Sequence, residues 1–417
     1  MDRDILEALF RNAVAAAQPA LAIRNNLPAP PAGKTLVIGA GKASAQMAQA
    51  LEAAWPGPLS GLVVTRYGCG VPCKSIEIVE ASHPVPDAAG YLATRRILEK
   101  VAGLGPEDLV IALISGGGSA LLAAPAPGMT LEDEQSLNRV LLASGAPISA
   151  MNAIRKELSS IKGGRLAAAA APARVATLVV SDIPGDDPSL VASGPTIPSS
   201  STRAQARKLV ALHGIVLPPA AEAVLAGDDH PAPMPGNPAL ARNSVAVIAS
   251  AALSLEAAAR RAQSFGLPAV VLSDAMEGEA REVAYVHAAM AREIHAKGRP
   301  FARPVVVLSG GETTVTLRGR GKGGRNAEFL LAFAIAIEGI EGITALAADT
   351  DGIDGTEDNA GAFADGTTVA RLRAAGIDPA VALADNDAYS AFHAIGDLFT
   401  TGPTGTNVND FRAIIVR

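Results

Sequence analysis

Two apolar runs in this 417-residue chain end in Ser-Gly-Gly, at Leu113-Ile114-Ser115-Gly116-Gly117-Gly118-Ser119 and at Val307-Leu308-Ser309-Gly310-Gly311-Glu312-Thr313. Each reads as a buried strand stopping at a place fit for an oxyanion. Without a Cβ, glycine lets backbone N–H groups crowd around phosphate or carboxylate oxygens, and the adjacent hydroxyls add donors. Taken singly, either run also fits an ordinary strand-to-loop turn. A third Gly-rich turn, Gly39-Ala40-Gly41-Lys42-Ala43-Ser44, joins a β-type run to a helical stretch. Phosphate meets a helix N-terminus at such a position. An ammonium there, on Lys42, opposes the helix dipole unless an anion is present. The chain has no G-x-x-x-x-G-K-[ST] loop. The turn also departs from the dinucleotide fingerprint: Ser44 replaces the third glycine, and the second strand ends in Thr65-Arg66 instead of an acid. Arg66 suits the 2′-phosphate of NADP, so a nicotinamide-dependent oxidoreductase stays open.

Acids and further cations complete the chemistry-bearing set. Asp182, Asp186 and Asp187 crowd a turn after the run Val179-Val180-Ser181. Carboxylates at a strand end bind Mg2+ or accept a hydroxyl proton, although they also form Asx turns. Between Arg318 and Asn326 four cations share a Gly-rich segment directly before a helical run, and like charges at that density repel unless an anion neutralises them. Arg325, nearest the helix start, is the candidate for a transferring phosphoryl group, with Asn326 beside it. The segment from Asp349 to Gly355 resembles a calcium loop only superficially, because Ala360 stands where the twelfth-position Glu belongs. It better suits a Mg-nucleotide or substrate-positioning strand end, with Asp351 and Asp186 as metal candidates. Thr406 and Asn407 lie in a hydroxyl- and amide-rich loop suited to carboxylate or phosphate. Cys69 and Cys73 lack partners for a zinc site, and the scattered histidines form no metal or catalytic pair.

These residues need a scaffold. Apolar runs at 35–38, 61–65, 76–80, 109–114 and 176–180 alternate with helical patterns at 44–55, 88–101, 131–143 and 151–158, which predicts an α/β fold with a mostly parallel sheet covered on both faces. Ligands in such sheets sit beyond the carboxyl ends of the strands. The Pro-dense segment Asp228–Gly236 reads as a linker, dividing the chain into 1–236 and 237–417, with strands of the second unit expected at 244–248, 269–272, 305–308, 313–317 and 343–347. A cleft between the units would bring both Ser-Gly-Gly turns within reach of one ligand pair. A net charge of −6 leaves no basic footprint for nucleic acid. No apolar run approaches the roughly 18 to 20 residues of a membrane span, and the acidic start Met1-Asp2-Arg3-Asp4 is unlike a signal peptide, so the expected location is cytoplasmic.

The ordered motifs GAGKAS, LISGGGSALL, SDIPGDDPSLVASGPT, LSGGETTVTLRGRGKGGRNAEF, DTDGIDG and TGPTGTNVND together resemble the class II glycerate kinase family, whose C-terminal part is the MOFRL domain. The resemblance spans nearly the whole chain. It implies a Rossmann-like doubly wound N-terminal domain, a smaller MOFRL-type α/β domain and an active site in the interdomain cleft. It also implies ATP-dependent phosphorylation of D-glycerate, commonly at the 2-hydroxyl to give 2-phosphoglycerate, with Mg2+. The lysine of the family's GAGK falls on Lys42 and the arginine of its GGRN on Arg325. In that mechanism Lys42 and Arg325 neutralise the phosphoryl oxygens, and Asp182 or Asp351 orients the metal or the hydroxyl. The turns at Ser115–Ser119 and Ser309–Gly311 supply backbone donors. Members from tartrate and glyoxylate pathways have also carried the label hydroxypyruvate reductase, so NAD(P)H-dependent reduction is the alternative. A non-catalytic sugar-acid sensor is the third reading, and a homodimer is compatible with all of them.

Overall fold

The computed structural model describes residues 2–227 and 231–417, so the Asp228–His230 part of the expected linker lies outside the described residues. Two compact units form, one from residues 19–248 and one from residues 2–18 together with 249–417. In the first, β1 (Thr35–Ala40), β2 (Ser60–Arg66), β3 (Ile76–Ala81), β4 (Leu109–Ser115), β5 (Arg174–Val180) and β6 (Ser244–Ala249) build one sheet in the order β3-β2-β1-β4-β5-β6. The contacts among β1 to β5 are parallel. Every residue of β1 and β4 is buried, as expected of central strands covered on both faces. The chain leaves β1 toward β2 and β3 and returns on the other side at β4. The sheet's order thus reverses between β1 and β4, the place where ligands bind in open parallel sheets. Four helices of this unit, Leu131–Ala143, Ile148–Glu157, Arg203–Leu212 and Pro219–Ala226, pack around Leu137, Leu141, Ile154 and Leu225 in a core of their own.

The second unit carries β7 (Ala269–Glu279), β8 (Val305–Thr314), β9 (Ile343–Asp349), β10 (Gly361–Asp365), β11 (Leu398–Phe399) and β12 (Asp410–Val416), in the order β11-β10-β9-β12-β8-β7. Only β7 and β8 pair in parallel, because β12 returns antiparallel between β8 and β9. The mostly parallel expectation thus describes the first sheet, and the second is mixed. Helix Arg325–Ala336 is buried along most of its length, which its near-continuous apolar sequence requires.

Two segments depart from a division at residue 236, each for a physical reason. Strand β6 extends the first sheet beside β5, with the Val175 N–H donating to the Asn243 side chain at 2.8 Å. The first helix, Asp2–Ala16, buries Leu6, Leu9 and Phe10 against Leu308, Phe399 and Phe411 of the second sheet. Phe10 makes edge-to-face contacts with Phe399 at 5.1 Å and Phe411 at 5.7 Å between ring centroids. The second Ser-Gly-Gly run is also no strand end: β8 continues through it to Thr314.

Candidate functional site

In the unit of residues 19–248, chemistry gathers where β1 and β4 end. The G-x-G turn is tied inward. The Gly41 N–H donates to Val64 O, Lys42 N–H to Gly116 O, Ala43 N–H to Ser115 Oγ and Ser44 Oγ to Leu113 O, all at 2.9–3.1 Å. A Cβ on Gly39 would lie 2.3 Å from Leu113 O, and one on Gly41, where φ is 143°, would lie 2.0 Å from Ser115 Oγ. These glycines permit close approach of β1 to β4. Gly39, Gly41, Ser44 and Ser115 therefore build the floor of the site, which corrects their expected role as direct phosphate donors. The Lys42 side chain stays available: it is half-buried, with no ion-pair partner among the described residues.

The turn after β4 behaves differently. The amide groups of Gly116, Gly117, Gly118 and Ser119 donate to no acceptor among the described residues. Each glycine sits close to a neighbouring group. A Cβ on Gly116 would fall 1.7 Å from Asp182 Oδ2, one on Gly117 (φ 80°) 3.2 Å from the His83 ring and 3.3 Å from Lys42 Cγ, and one on Gly118 2.7 Å from Ala192 Cβ. Asp182, Lys42 and His83 thus surround this turn. Ser119 Oγ meets Ser193 Oγ at 2.9 Å, and Ser193 donates to Asn152 Oδ1 at 3.2 Å. Ala192, Ser193 and Gly194 run consecutively in left-handed conformation, with φ of 52°, 60° and 58°. Strained backbone of this kind persists where surrounding structure over-determines it, often at functional sites. His83 and Asn152 stand outside any sequence motif, His83 being signalled only by its place two residues after a strand, whereas Ser193 lies within the motif SDIPGDDPSLVASGPT without having been singled out by its chemistry. Asp186 sits in a short 3-10 turn at φ 53°, and its carboxylate accepts no hydrogen bond from the described residues.

In the unit built on β7–β12, Arg325 is the hub. Its Nε donates to Asp410 at 2.6 Å, Nη2 to Asp349 at 2.6 Å and Nη1 to Glu312 at 2.8 Å. Burial alone would lower the guanidinium pKa, but the charges of Asp410, Asp349 and Glu312 raise it above the ordinary value. Arg325 is accordingly not the uncompensated cation its neighbourhood in sequence suggested. Burial lifts the Asp349 carboxyl well above the usual range despite Arg325, and lifts Asp354 to about 6. Asp354 accepts from the Asn326 and Ala327 N–H groups at 3.0 and 2.8 Å, capping the helix that presents Arg325. Asn326 itself is buried and reaches Asp410 at 2.9 Å.

The remaining residues of this unit have internal partners. Ser309 Oγ meets Nε2 of His287, on the helix Ala280–Lys297, at 2.9 Å, and Gly311 (φ 118°) is a glycine because a Cβ would strike the Met276 backbone at 2.2 Å. Ser309, Gly310 and Gly311 are strand residues, which corrects the expected oxyanion turn. Thr406 Oγ1 donates to Ala17 O, and Asn407 reaches Asp351 at 3.3 Å. The segment Arg318–Gly324 is pinned, with N–H groups of Arg318, Arg320 and Lys322 donating to Asn386, Asp385 and Asp387. Gly319 and Gly321 pass so close to Asp385 and Asp387 that a Cβ would lie 2.2–2.4 Å away. Among the described residues no group of three or more His, Cys, Asp or Glu could hold a metal by itself.

Residues 5–226 match a family model described as a domain of unknown function (DUF4147), and residues 305–410 match the MOFRL family. A protein of Agrobacterium vitis named "Putative hydroxypyruvate reductase" is 54% identical, covering 99% of this chain and 94% of its own. The D-glycerate 2-kinase of Thermotoga maritima is 40% identical over 96% of this chain and 95% of its own. A crystal structure of glycerate kinase from Thermotoga maritima matches with a TM-score of 0.91 and 38% identity, covering 99% of both chains. A Pyrococcus horikoshii structure matches with a TM-score of 0.88 and 37% identity over 99% of this chain and 98% of that one. Both halves match in order and relatives match along almost their full length: the chain belongs to the class II glycerate kinase family.

Proposed function

We propose that this protein transfers the γ-phosphoryl group of ATP to D-glycerate at the 2-hydroxyl, giving 2-phosphoglycerate. The observation that carries the reading is the uncompensated Lys42 ammonium beside four unpaired amides, Gly116 to Ser119, at the switch point of the parallel sheet. That arrangement suits an anion and little else. Phosphoryl transfer asks a protein chiefly for positioning and charge neutralisation. Lys42 faces the phosphoryl oxygens, the Gly116–Ser119 amides hold phosphate or carboxylate oxygens, and Asp182, packed on Gly116, orients the acceptor. On the other unit, Asp410 and Asp349 fix the Arg325 plane. The Nη1 partner, Glu312, is 55% exposed, and such a pair is worth only about 0–1 kcal/mol. An anion can replace it, which makes Arg325 the anion-binding candidate of its own unit.

Mg2+ fits as a companion of the nucleotide, which is the usual arrangement of one or two carboxylates plus phosphates. Asp186 and Asp351 are the residues that would contribute a carboxylate. When bound, the ion supplies charge neutralisation at the phosphate oxygens. The experiment is incubation of purified protein with D-glycerate, ATP and Mg2+, following ADP and resolving 2- from 3-phosphoglycerate by phosphorus NMR. A parallel arm follows NAD(P)H with hydroxypyruvate. Glycerate-dependent ADP with 2-phosphoglycerate is expected; hydroxypyruvate-dependent loss of NAD(P)H without ADP overturns the reading.

A further inference from the structure

We propose that His83 is the group that takes the proton from the substrate hydroxyl during phosphoryl transfer, an assignment that rests on the kinase reading above. The imidazole follows β3 and is half-buried. Its Nε2 lies 3.2 Å from the point that a Cβ on Gly117 would occupy, and Lys42 Cγ lies 3.3 Å from the same point. The ring and the lysine stem therefore both pack against the Gly117 backbone, in the turn whose amides have no acceptor among the described residues. Neither ring nitrogen hydrogen-bonds within the described residues. His287 is the contrast, since its two nitrogens are taken by Val283 O and Ser309 Oγ.

The charged groups whose fields reach His83 are Lys42, from the turn after β1, and Arg66, from the end of β2, among the described residues. Burial first, and these cations second, hold the ring below its ordinary pKa of 6.5, so it is neutral near pH 7 and keeps a lone pair to share. In the step, the hydroxyl oxygen forms the new bond to the γ-phosphorus. The bond from that phosphorus to the bridging oxygen breaks, its electron pair leaving with ADP. The hydroxyl proton passes to His83, and the half-exposed ring then releases it to solvent.

The test compares kcat and KM for glycerate-dependent ADP release from about pH 5 to about pH 8 in wild type, His83→Asn and His83→Ala, the last with and without added imidazole. Wild-type kcat should fall on the acid side with an apparent pKa below 6.5. Both variants should lose on the order of 10²–10³ in kcat, lose that acid limb and keep KM for ATP within about threefold. Imidazole should restore part of the His83→Ala rate. A variant that keeps the acid limb, or a kcat within about threefold of wild type, overturns the assignment while leaving the kinase reading intact. Loss of activity with altered KM for ATP and no imidazole rescue makes His83 structural and overturns it equally. A wild type with no glycerate-dependent ADP sinks the kinase reading, and this assignment with it.

Discussion

Replacing Lys42 by Met should separate activity from stability, because its ammonium has no counter-ion among the described residues. The backbone bond from Lys42 N–H to Gly116 O survives the change, and the Met stem still covers Gly117. A full charge about 4 Å from a phosphoryl oxygen is worth about 4 kcal/mol at an effective dielectric of about 20. Half-burial and salt trim that figure, leaving a loss of about 10²–10³ in kcat/KM. Stability should move the other way. Lys42 sits just before the helix Ser44–Ala54, where a cation costs about 0.3–1 kcal/mol. The variant should therefore melt at the wild-type temperature or about 1–2 °C above it. Arg at the same position should not restore the rate, since its planar fork needs a different geometry from a point charge. The assays are coupled ADP release and differential scanning calorimetry. A kcat/KM within about threefold of wild type refutes the anion-site reasoning, and an activity loss accompanied by a clearly lower melting temperature reassigns Lys42 to structure.

Gly116→Ala should lower kcat by at least about a hundredfold, because its Cβ would sit 1.7 Å from Asp182 Oδ2 and the carboxylate or the turn must shift by about 1.5 Å or more. A normal ADP-release rate would show that the placement of Asp182 does not matter. Phe10→Ala should destabilise the protein by about 3–5 kcal/mol in urea unfolding, since it empties a contact shared with Phe399 and Phe411; a change below about 1 kcal/mol would mean the first helix is not integral to the second sheet's core. Asp354, raised to about 6, holds more protons folded than unfolded between pH 4 and 6, so its contribution is present in acid and lost as pH rises. His287, lowered to about 4, has the opposite sign: its contribution is present above 6.5 and lost as pH falls. The two nearly cancel in the wild-type curve, so the test is Asp354→Asn against wild type. The variant should gain by about 3 kcal/mol relative to wild type between pH 4 and pH 7, and a pH-independent difference counts against a buried, perturbed Asp354.

Local features were legible before the fold was known. The strands Thr35–Ala40 and Leu109–Ser115 and the helix Ala88–Val101 follow from apolar spacing and Gly or Pro punctuation. Strand β12 was not, although it is the central strand of the second sheet. A four-residue apolar run, Ala413–Val416, after a long loop carries no period that distinguishes it, and its place between β8 and β9 is set by pairings about 60 to 110 residues away in sequence. Glycines were recognised as special, but for a different reason from the one that operates at most of them. Gly39, Gly41, Gly319 and Gly321 are there because neighbouring backbone leaves no room for a side chain, and the turn at Gly116–Gly118 combines such crowding with amides that have no acceptor among the described residues.

Lys42 and Arg325 show where inference from charge alone stops. In sequence both are cations in Gly-rich segments with no acid directly beside them. At Lys42 the fold brings His83 and backbone amides and no carboxylate within ion-pair distance among the described residues, which is what supports an anion as its proposed partner. Arg325 differs, because the fold delivers Asp349 from 24 residues away and Asp410 from 85. Two buried carboxylates around one guanidinium fix its plane and over-neutralise it. An anion proposed for Arg325 would therefore have to compete with Glu312 at Nη1, not fill a vacant positive site. That competition makes a specific demand: Glu312→Gln should leave Arg325 held by Asp349 and Asp410 while freeing its outer face, and so lower KM for ATP or for glycerate. A KM unchanged or raised for both substrates would mean that Arg325 serves the sheet's charge network and no substrate.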